Sequence, residues 1–222
     1  MKITIKDLNK SYGKEKIFEN FSIEFESGKI NCILGESGCG KTTLLNIIAG
    51  LIKVDTCRID GITKKDISYV FQEDRLIPWL TIKENLSISL KKYYSKEKLE
   101  EKINEILKIA GIQGIENRYP HELSGGMKQR INIGRALGKP SKVILMDEPF
   151  KSLDYKTKYT IINEFMKILE NEKRIVVLVT HDLDEAVYFN GKIFIFGGRP
   201  VCTKGVFANE LEKNKKIMLD LI

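Results

Sequence analysis

The chain has 222 residues, of which 42% are apolar and 30% charged, with a formal net charge of +7. That composition supplies a sizeable core and excludes a disordered chain. No apolar run approaches the ~18 residues that cross a bilayer, and MKITIKDLNK alternates like a strand where a secretory leader would carry an apolar block, so the expectation is a cytosolic chain with neither signal peptide nor transmembrane segment.

Residues 2 to 34 read as β-rich, with alternation at Ile3 and Ile5, again at Phe21, Ile23 and Phe25, and then a buried run Ile30, Cys32, Ile33, Leu34. Tyr12 falls in a Ser-Tyr-Gly turn between these strands, where an aromatic either packs or, exposed, stacks on an adenine ring. The buried run leads into GESGCGKTT, Gly35 to Thr43, which fits GxxxxGK[ST] and opens a helix from Lys41 to Ala49 that stops at Gly50. Position gives the letters their meaning. Between a strand and a helix, Gly35, Glu36, Ser37, Gly38, Cys39 and Gly40 can turn backbone N–H groups into one concavity, Lys41 can reach outer phosphates, and Thr42 can offer its hydroxyl to Mg²⁺. Cys39, in an amide-rich loop beside Lys41, is expected to react with alkylating agents unless nucleotide covers it.

Short strands follow at Cys57 to Asp60 and Ile67 to Phe71, the second ending at Gln72. The pattern then turns helical: after EDRLIPWLT, with Pro78 and the single Trp79, helices are expected from Thr81 to about Tyr94 and from about Lys96 to Ala110, the latter with Leu99, Ile103, Leu107 and Ala110 on one face. LSGGMKQR, Leu123 to Arg130, closes this stretch. Ser124 reads as an N-cap, Gly125 and Gly126 leave the backbone bare, and a helix with Ile131, Ile133 and Leu137 follows, which is either an ordinary cap or a second anion-binding helix start. VILMDEP, Val143 to Pro149, is a buried strand ending in Asp147 and Glu148; alternation along a strand sends those two carboxylates in different directions, although a strand-end acid pair also serves as a helix cap. KSLD, Lys151 to Asp154, opens a helix burying Ile161, Ile162, Phe165, Ile168 and Leu169. Ile175 to Val179 repeats the strand, with His181 just past its end, then come a strand Lys192 to Phe196 and a terminal helix Asn209 to Ile222.

Cys32, Cys39, Cys57 and Cys202 form no CxxC pair and no metal-like cluster, so reduced thiols are expected, with neither disulfide nor structural zinc. The basic excess is spread over helical faces and interleaved with glutamates, as from Lys91 to Lys108, without an aromatic stacking platform; no specific nucleic-acid partner is expected.

Taken together, Tyr12, GESGCGKTT, Gln72, LSGGMKQR, VILMDEP, SLD and His181 resemble the nucleotide-binding subunit of ATP-binding-cassette (ABC) transporters over almost the whole chain. The first motif alone suits many NTPases; LSGGMKQR ahead of the acid pair is specific to this family. The resemblance implies an α/β P-loop NTPase with a RecA-like core, an antiparallel β subdomain and an inserted helical subdomain: one ABC ATPase domain over 1–222, with 1–72 and 141–222 as core and 73–140 as the helical part carrying the signature. It also implies ATP and Mg²⁺, and an ATP sandwich between two copies arranged head to tail. Tyr12 would stack on adenine; Gly35 to Thr43, including Thr43 itself, would hold the phosphates. Thr42, Gln72 and Asp147 would serve Mg²⁺, Glu148 would polarise the attacking water, and His181 would contact the γ phosphate. Ser124, Gly125 and Gly126 would act on the other copy's nucleotide, with Asp154 at the dimer interface.

The partners implied are a second copy, an integral membrane permease whose coupling helix meets Glu73 to Trp79, and an extracytoplasmic solute-binding protein, with the subunit peripheral on the cytoplasmic face of the membrane. FQEDRLIPWLT, PHELSGGMKQR and LMDEPF are most similar to the nitrate, sulfonate and taurine importers, a branch that includes transporters of thiamine precursors. A motor for efflux or lipoprotein release is the alternative, and a soluble ABC ATPase would carry a second cassette or a long coiled coil. Lys151 and Ser152, Gly134, and Thr56-Cys57 depart from the branch pattern; the short C-terminus implies no added regulatory domain. Gly134 inside a helix costs about 1 kcal/mol unless close packing demands it.

Overall fold

The computed structural model describes residues 1–170 and 172–222. Among the described residues nine strands run β1 (Lys2–Tyr12), β2 (Glu15–Glu26), β3 (Ile30–Gly35), β4 (Thr56–Asp60), β5 (Ile67–Val70), β6 (Val143–Asp147), β7 (Ile175–Val179), β8 (Lys192–Gly197) and β9 (Cys202–Phe207). Seven α-helices of the described residues lie among them: α1 (Lys41–Ile48), α2 (Ile82–Leu90), α3 (Lys96–Ile109), α4 (Gly125–Gly138), α5 (Tyr155–Glu170), α6 (Leu183–Tyr188) and α7 (Leu211–Leu221). The chain divides into two compact units, one of residues 1–67, 142–148 and 172–222, the other of residues 68–141 and 149–171.

The first unit holds two sheets. β2, β1 and β4 form an antiparallel sheet in that order, and β6, β7, β3, β8 and β9 follow one another in the larger sheet, parallel except for the β8–β9 pair. Every residue of β3, β6 and β7 is buried, as their continuous apolar runs require of strands covered on both faces. β1 and β2 alternate instead, and their inward aromatics meet the larger sheet edge to face: Phe21 on Phe196 and Phe25 on Phe194, with ring centroids 5.4 and 5.5 Å apart. β6, β7 and β3 are parallel neighbours in register, with Asp147 opposite Val179 and Val179 opposite Ile33, so their C-terminal ends share one edge of the sheet. That edge is where loops of a parallel sheet carry ligands.

The second unit is chiefly helical. Its core gathers Leu76 with Ile82, Leu86 and Leu90 of α2, Ile103, Ile106 and Leu107 of α3, and Ile131 of α4. α2 begins where a capping box closes it: Thr81 accepts from the Glu84 N–H at 3.3 Å, and the Glu84 carboxylate accepts from the Thr81 N–H at 2.7 Å. It ends at Leu90, earlier than the expected Tyr94; the Tyr94 hydroxyl instead donates to the Gly138 carbonyl at 2.7 Å. The helix expected to open at Lys151 starts at Tyr155, because the Asp154 carboxylate accepts the Thr157 N–H at 3.0 Å and so caps α5.

Gly134 is explained by its surroundings. A Cβ there would stand 2.5 Å from Cγ2 of the buried Ile106, and one at Gly138 would stand 2.4 Å from its Cδ1, so α3 and α4 approach through a groove of two glycines one turn apart. The helical penalty of Gly134 is offset by that close approach. Gly134→Ala is expected to lower unfolding free energy by about 1–2 kcal/mol, the overpacking cost exceeding the gain in helix propensity. Urea denaturation measures it, and Ile106→Ala in the same chain should relieve the clash; a stabilised single variant would refute the packing account.

All four cysteines are free thiols, and among the described residues no helix is long and apolar enough to cross a membrane. The sequence did not anticipate α6, six residues long, or β9, whose CTKGVF offers little apolar alternation but pairs antiparallel with β8.

Candidate nucleotide site

In the first unit the loop from Gly35 to Gly40 joins the end of β3 to α1. Gly40 precedes the helix with φ 101°, a left-handed value, and a Cβ there would sit 3.0 Å from a Val201 methyl and 3.1 Å from one of Ile17. Both conformation and space therefore call for glycine. No side chain caps α1 and no acid lies in its first turn, which leaves its leading N–H groups and positive end to an incoming anion. Glu36, Ser37, Gly38 and Thr42 are exposed, Thr43 half-buried.

Lys41 is 8% exposed, and its ammonium donates to the carbonyls of Gly35 and Glu36, each at 2.7 Å. The charge is thus held over the loop by two neutral acceptors, with no carboxylate in those bonds. Cys39 is only 5% exposed, and its N–H donates to the Glu36 carbonyl at 3.3 Å. The thiol expected to alkylate readily is shielded by the turn that forms the loop, so exposure to reagent requires that turn to open.

The acid pair lies on the same sheet edge. Asp147 is the last residue of β6 and 3% exposed. Glu148 departs from the alternation expected of it: φ is +45°, a left-handed conformation rare in a residue with a β-carbon, while its N–H still donates to the Val179 carbonyl at 2.9 Å. Such strain persists only where surrounding structure enforces it, and the bond to Val179 is one contact that ties this residue to β7. His181 follows β7 and precedes Asp182, which caps α6 by accepting the Glu185 N–H at 3.1 Å. Held between strand and cap, the exposed imidazole brings Nδ1 to 3.3 Å from Glu148 Oε1.

Tyr12 is the last residue of β1, opposite Glu15 across the hairpin, and is 51% exposed, with the Lys10 ammonium 4.5 Å from its ring centre. The sequence placed it in the turn; it stands at the strand end instead.

Gln72, Ser124, Gly125, Gly126 and Asp154 belong to the second unit. Gln72 is exposed just beyond β5. Ser124 is the N-cap of α4, accepting the Met127 N–H at 3.3 Å, and Gly125 is exposed behind it. A Cβ on Gly126 would meet Leu153 Cδ2 and the Ser152 carbonyl, each at 3.3 Å, which packs the signature segment against the turn before α5. Bonds from the hydroxyl and N–H of Thr157 hold the Asp154 carboxyl below its ordinary range.

A family model described as ABC transporter matches residues 18–151. The chain belongs to that family. It is 39% identical to the aliphatic sulfonates import ATP-binding protein SsuB of Bacillus cereus, over 95% of this chain and 87% of that one. It is 38% identical to SsuB of Bacillus subtilis, over 90% and 82%. Among solved structures it resembles an ATP-binding cassette in a dimeric post-hydrolysis state bound to ADP and Pi, with a TM-score of 0.82 and 33% identity, covering 93% of this chain and 98% of that one. The architecture is accordingly the P-loop NTPase fold of an ABC ATPase cassette, and this ABC subunit sits in the sulfonate and nitrate branch.

Proposed function

We propose that this ABC subunit binds ATP on the Gly35–Thr43 loop and hydrolyses it with Glu148 as the general base, driving uptake of a small organosulfonate or a related solute, such as nitrate, taurine or a thiamine precursor, through a separate permease. The observation that carries the reading is Glu148, held in a left-handed conformation at the end of β6 and 3.3 Å from His181, on the sheet edge that also bears the lysine loop. The sulfonate class rests on the similarity to the SsuB sulfonate-import subunits of Bacillus cereus and Bacillus subtilis.

Tyr12 offers its exposed face to adenine. The loop amides and the start of α1 receive the phosphate oxygens, and Lys41 exchanges the carbonyls of Gly35 and Glu36 for the outer phosphates. The oxygen donors Thr42, Asp147 and Gln72 suit Mg²⁺, a hard cation that prefers such ligands. Held by those donors, the ion would supply charge neutralisation at the phosphate oxygens. Glu148 accepts the proton of the attacking water, and His181 donates toward the γ phosphate. Ser124, Gly125 and Gly126 complete the site of a second copy, whose own signature segment completes this one, and Asp154 lies at their interface. The dimeric state of the resembling cassette supports that pairing. The subunit is peripheral on the cytoplasmic face of the membrane, tied to the permease through Glu73 to Trp79, and the permease receives solute from an extracytoplasmic binding protein.

Copurification of this subunit with its permease and binding protein tests the reading. Aliphatic sulfonates should raise the melting temperature of the binding protein and stimulate ATP hydrolysis by the assembled complex. A complex whose hydrolysis ignores every sulfonate, nitrate, taurine and thiamine precursor offered would refute the solute class, and membrane attachment that survives deletion of the permease would refute the docking.

A further inference from the structure

The turn between β8 and β9 reaches back over the phosphate loop. Arg199, half exposed in that turn, donates from Nη2 to the Gly38 carbonyl at 2.8 Å, and its Nη1 pairs with the Glu15 carboxylate. Two residues on, the Val201 N–H donates to the Ile17 carbonyl at 2.8 Å, and the Val201 methyl packs over Gly40. One guanidinium therefore joins three segments: the β8–β9 turn, the start of β2 and the phosphate loop.

Each end of that fork has a consequence for a nucleotide. A trans peptide is planar, so holding the Gly38 carbonyl also holds the plane of the Gly38–Cys39 peptide, whose N–H donates to the Glu36 carbonyl at 3.3 Å and closes the phosphate-loop turn. Gly38 itself has φ +78°, and a Cβ on it would stand 3.1 Å from Nη2. At the other end, Glu15 is paired across the hairpin with Tyr12. The ion pair is exposed, and such pairs add little stability, typically up to about 1 kcal/mol. What a planar fork supplies is direction: it bonds a carbonyl and a carboxylate in one fixed geometry, which a lysine cannot reproduce.

We propose that Arg199 is a positioning residue for nucleotide, a brace that fixes the turn of the phosphate loop and sets the spacing between that loop and the aromatic platform at Tyr12. This rests on the reading of Tyr12 and the loop as the two ends of the ATP site. Base and phosphates of one nucleotide must engage both ends at once, so the brace acts on affinity and leaves Glu148 and His181 in place.

The experiment is ADP binding by titration calorimetry, with inorganic pyrophosphate as a ligand that lacks the base, on wild type, Arg199→Ala, Arg199→Lys, Glu15→Ala, Lys41→Ala and the double variant Glu15→Ala with Arg199→Ala. Arg199→Ala should weaken ADP about three- to tenfold, in line with losing an exposed charged fork. Its KM for ATP should rise by a similar factor while kcat changes less than about twofold, and Arg199→Lys should recover part of the loss. Glu15→Ala should weaken ADP and spare pyrophosphate, because it cuts only the tie to the hairpin. The double variant should lose less than the two single losses multiplied, since both remove one connection. Urea midpoints within error of wild type would show that the effect is not unfolding. Wild-type ADP affinity in Arg199→Ala, while Lys41→Ala loses it, would overturn the brace and leave the nucleotide reading standing. Unchanged binding in Lys41→Ala would overturn that reading and the brace with it.

Discussion

Glu148→Gln should reduce ATP turnover by about 10²- to 10⁴-fold, the span expected on removing a general base, while leaving nucleotide affinity within a few-fold of wild type. The glutamine keeps the shape of the side chain and can still hydrogen-bond to His181, but its amide cannot take a proton from water. A residue with a β-carbon held at φ +45° costs about 1–3 kcal/mol, and glutamine inherits that conformation without easing it, so the variant isolates the chemistry of one oxygen. In the presence of ATP and Mg²⁺ it should accumulate as a dimer, because the closed state forms and does not decay. Single-turnover hydrolysis and sedimentation velocity read the two effects. Turnover within about threefold of wild type would remove Glu148 as the base, and a strictly monomeric variant with bound ATP would count against a site shared between two copies.

Gly35→Ala should be the most damaging small substitution in the phosphate loop. Gly35 closes β3 opposite Phe196 of β8, with φ +147°, and a Cβ built on it falls 2.3 Å from the Phe196 carbonyl oxygen. That oxygen belongs to the backbone of a buried strand, so it cannot swing aside as a side-chain tip would. Either the β3–β8 register opens or the loop shifts, and we expect a loss of about 3 kcal/mol or more. With a urea slope of about 2–3 kcal/mol/M, the midpoint should fall by at least about 1 M. ADP should also bind more weakly, since Gly35 supplies one of the carbonyls that hold Lys41. An unshifted midpoint would mean that the strand accommodates the methyl group, and the steric account would fail.

Many of the candidate residues lie in patterns legible along the chain. The lysine loop between a strand and a helix, the acids at the end of VILMD, the histidine after IVVLV and the serine cap before two glycines are all local patterns, since a strand's buried run and a helix's cap are written in consecutive residues. Helices α3 and α4 followed from their apolar spacing. The failures were also physical. α6 has too few residues to show a period, and β9, with Lys204 and Gly205 at its centre, is a strand because β8 gives it a partner and not because its own side chains demand one. α2 stops at Leu90 while Tyr94, whose hydroxyl bonds the Gly138 carbonyl, lies beyond it.

Consecutive residues were enough to nominate the side chains proposed to meet phosphate and water, and to give the order of most of the strands and helices that present them. Only packing puts β3 between β7 and β8, strands more than a hundred residues away in the chain, so that the loop, the acid pair and His181 open on one edge. Packing also turns Glu148 over against Val179, fills with Ile106 the space Gly134 leaves, and brings Arg199 to Gly38. Periodicity records which face of an element is buried and carries no record of what buries it. Contacts between distant residues come from assembling the finished elements, and at this site those contacts set the carboxylate, the loop carbonyl and the arginine that holds it.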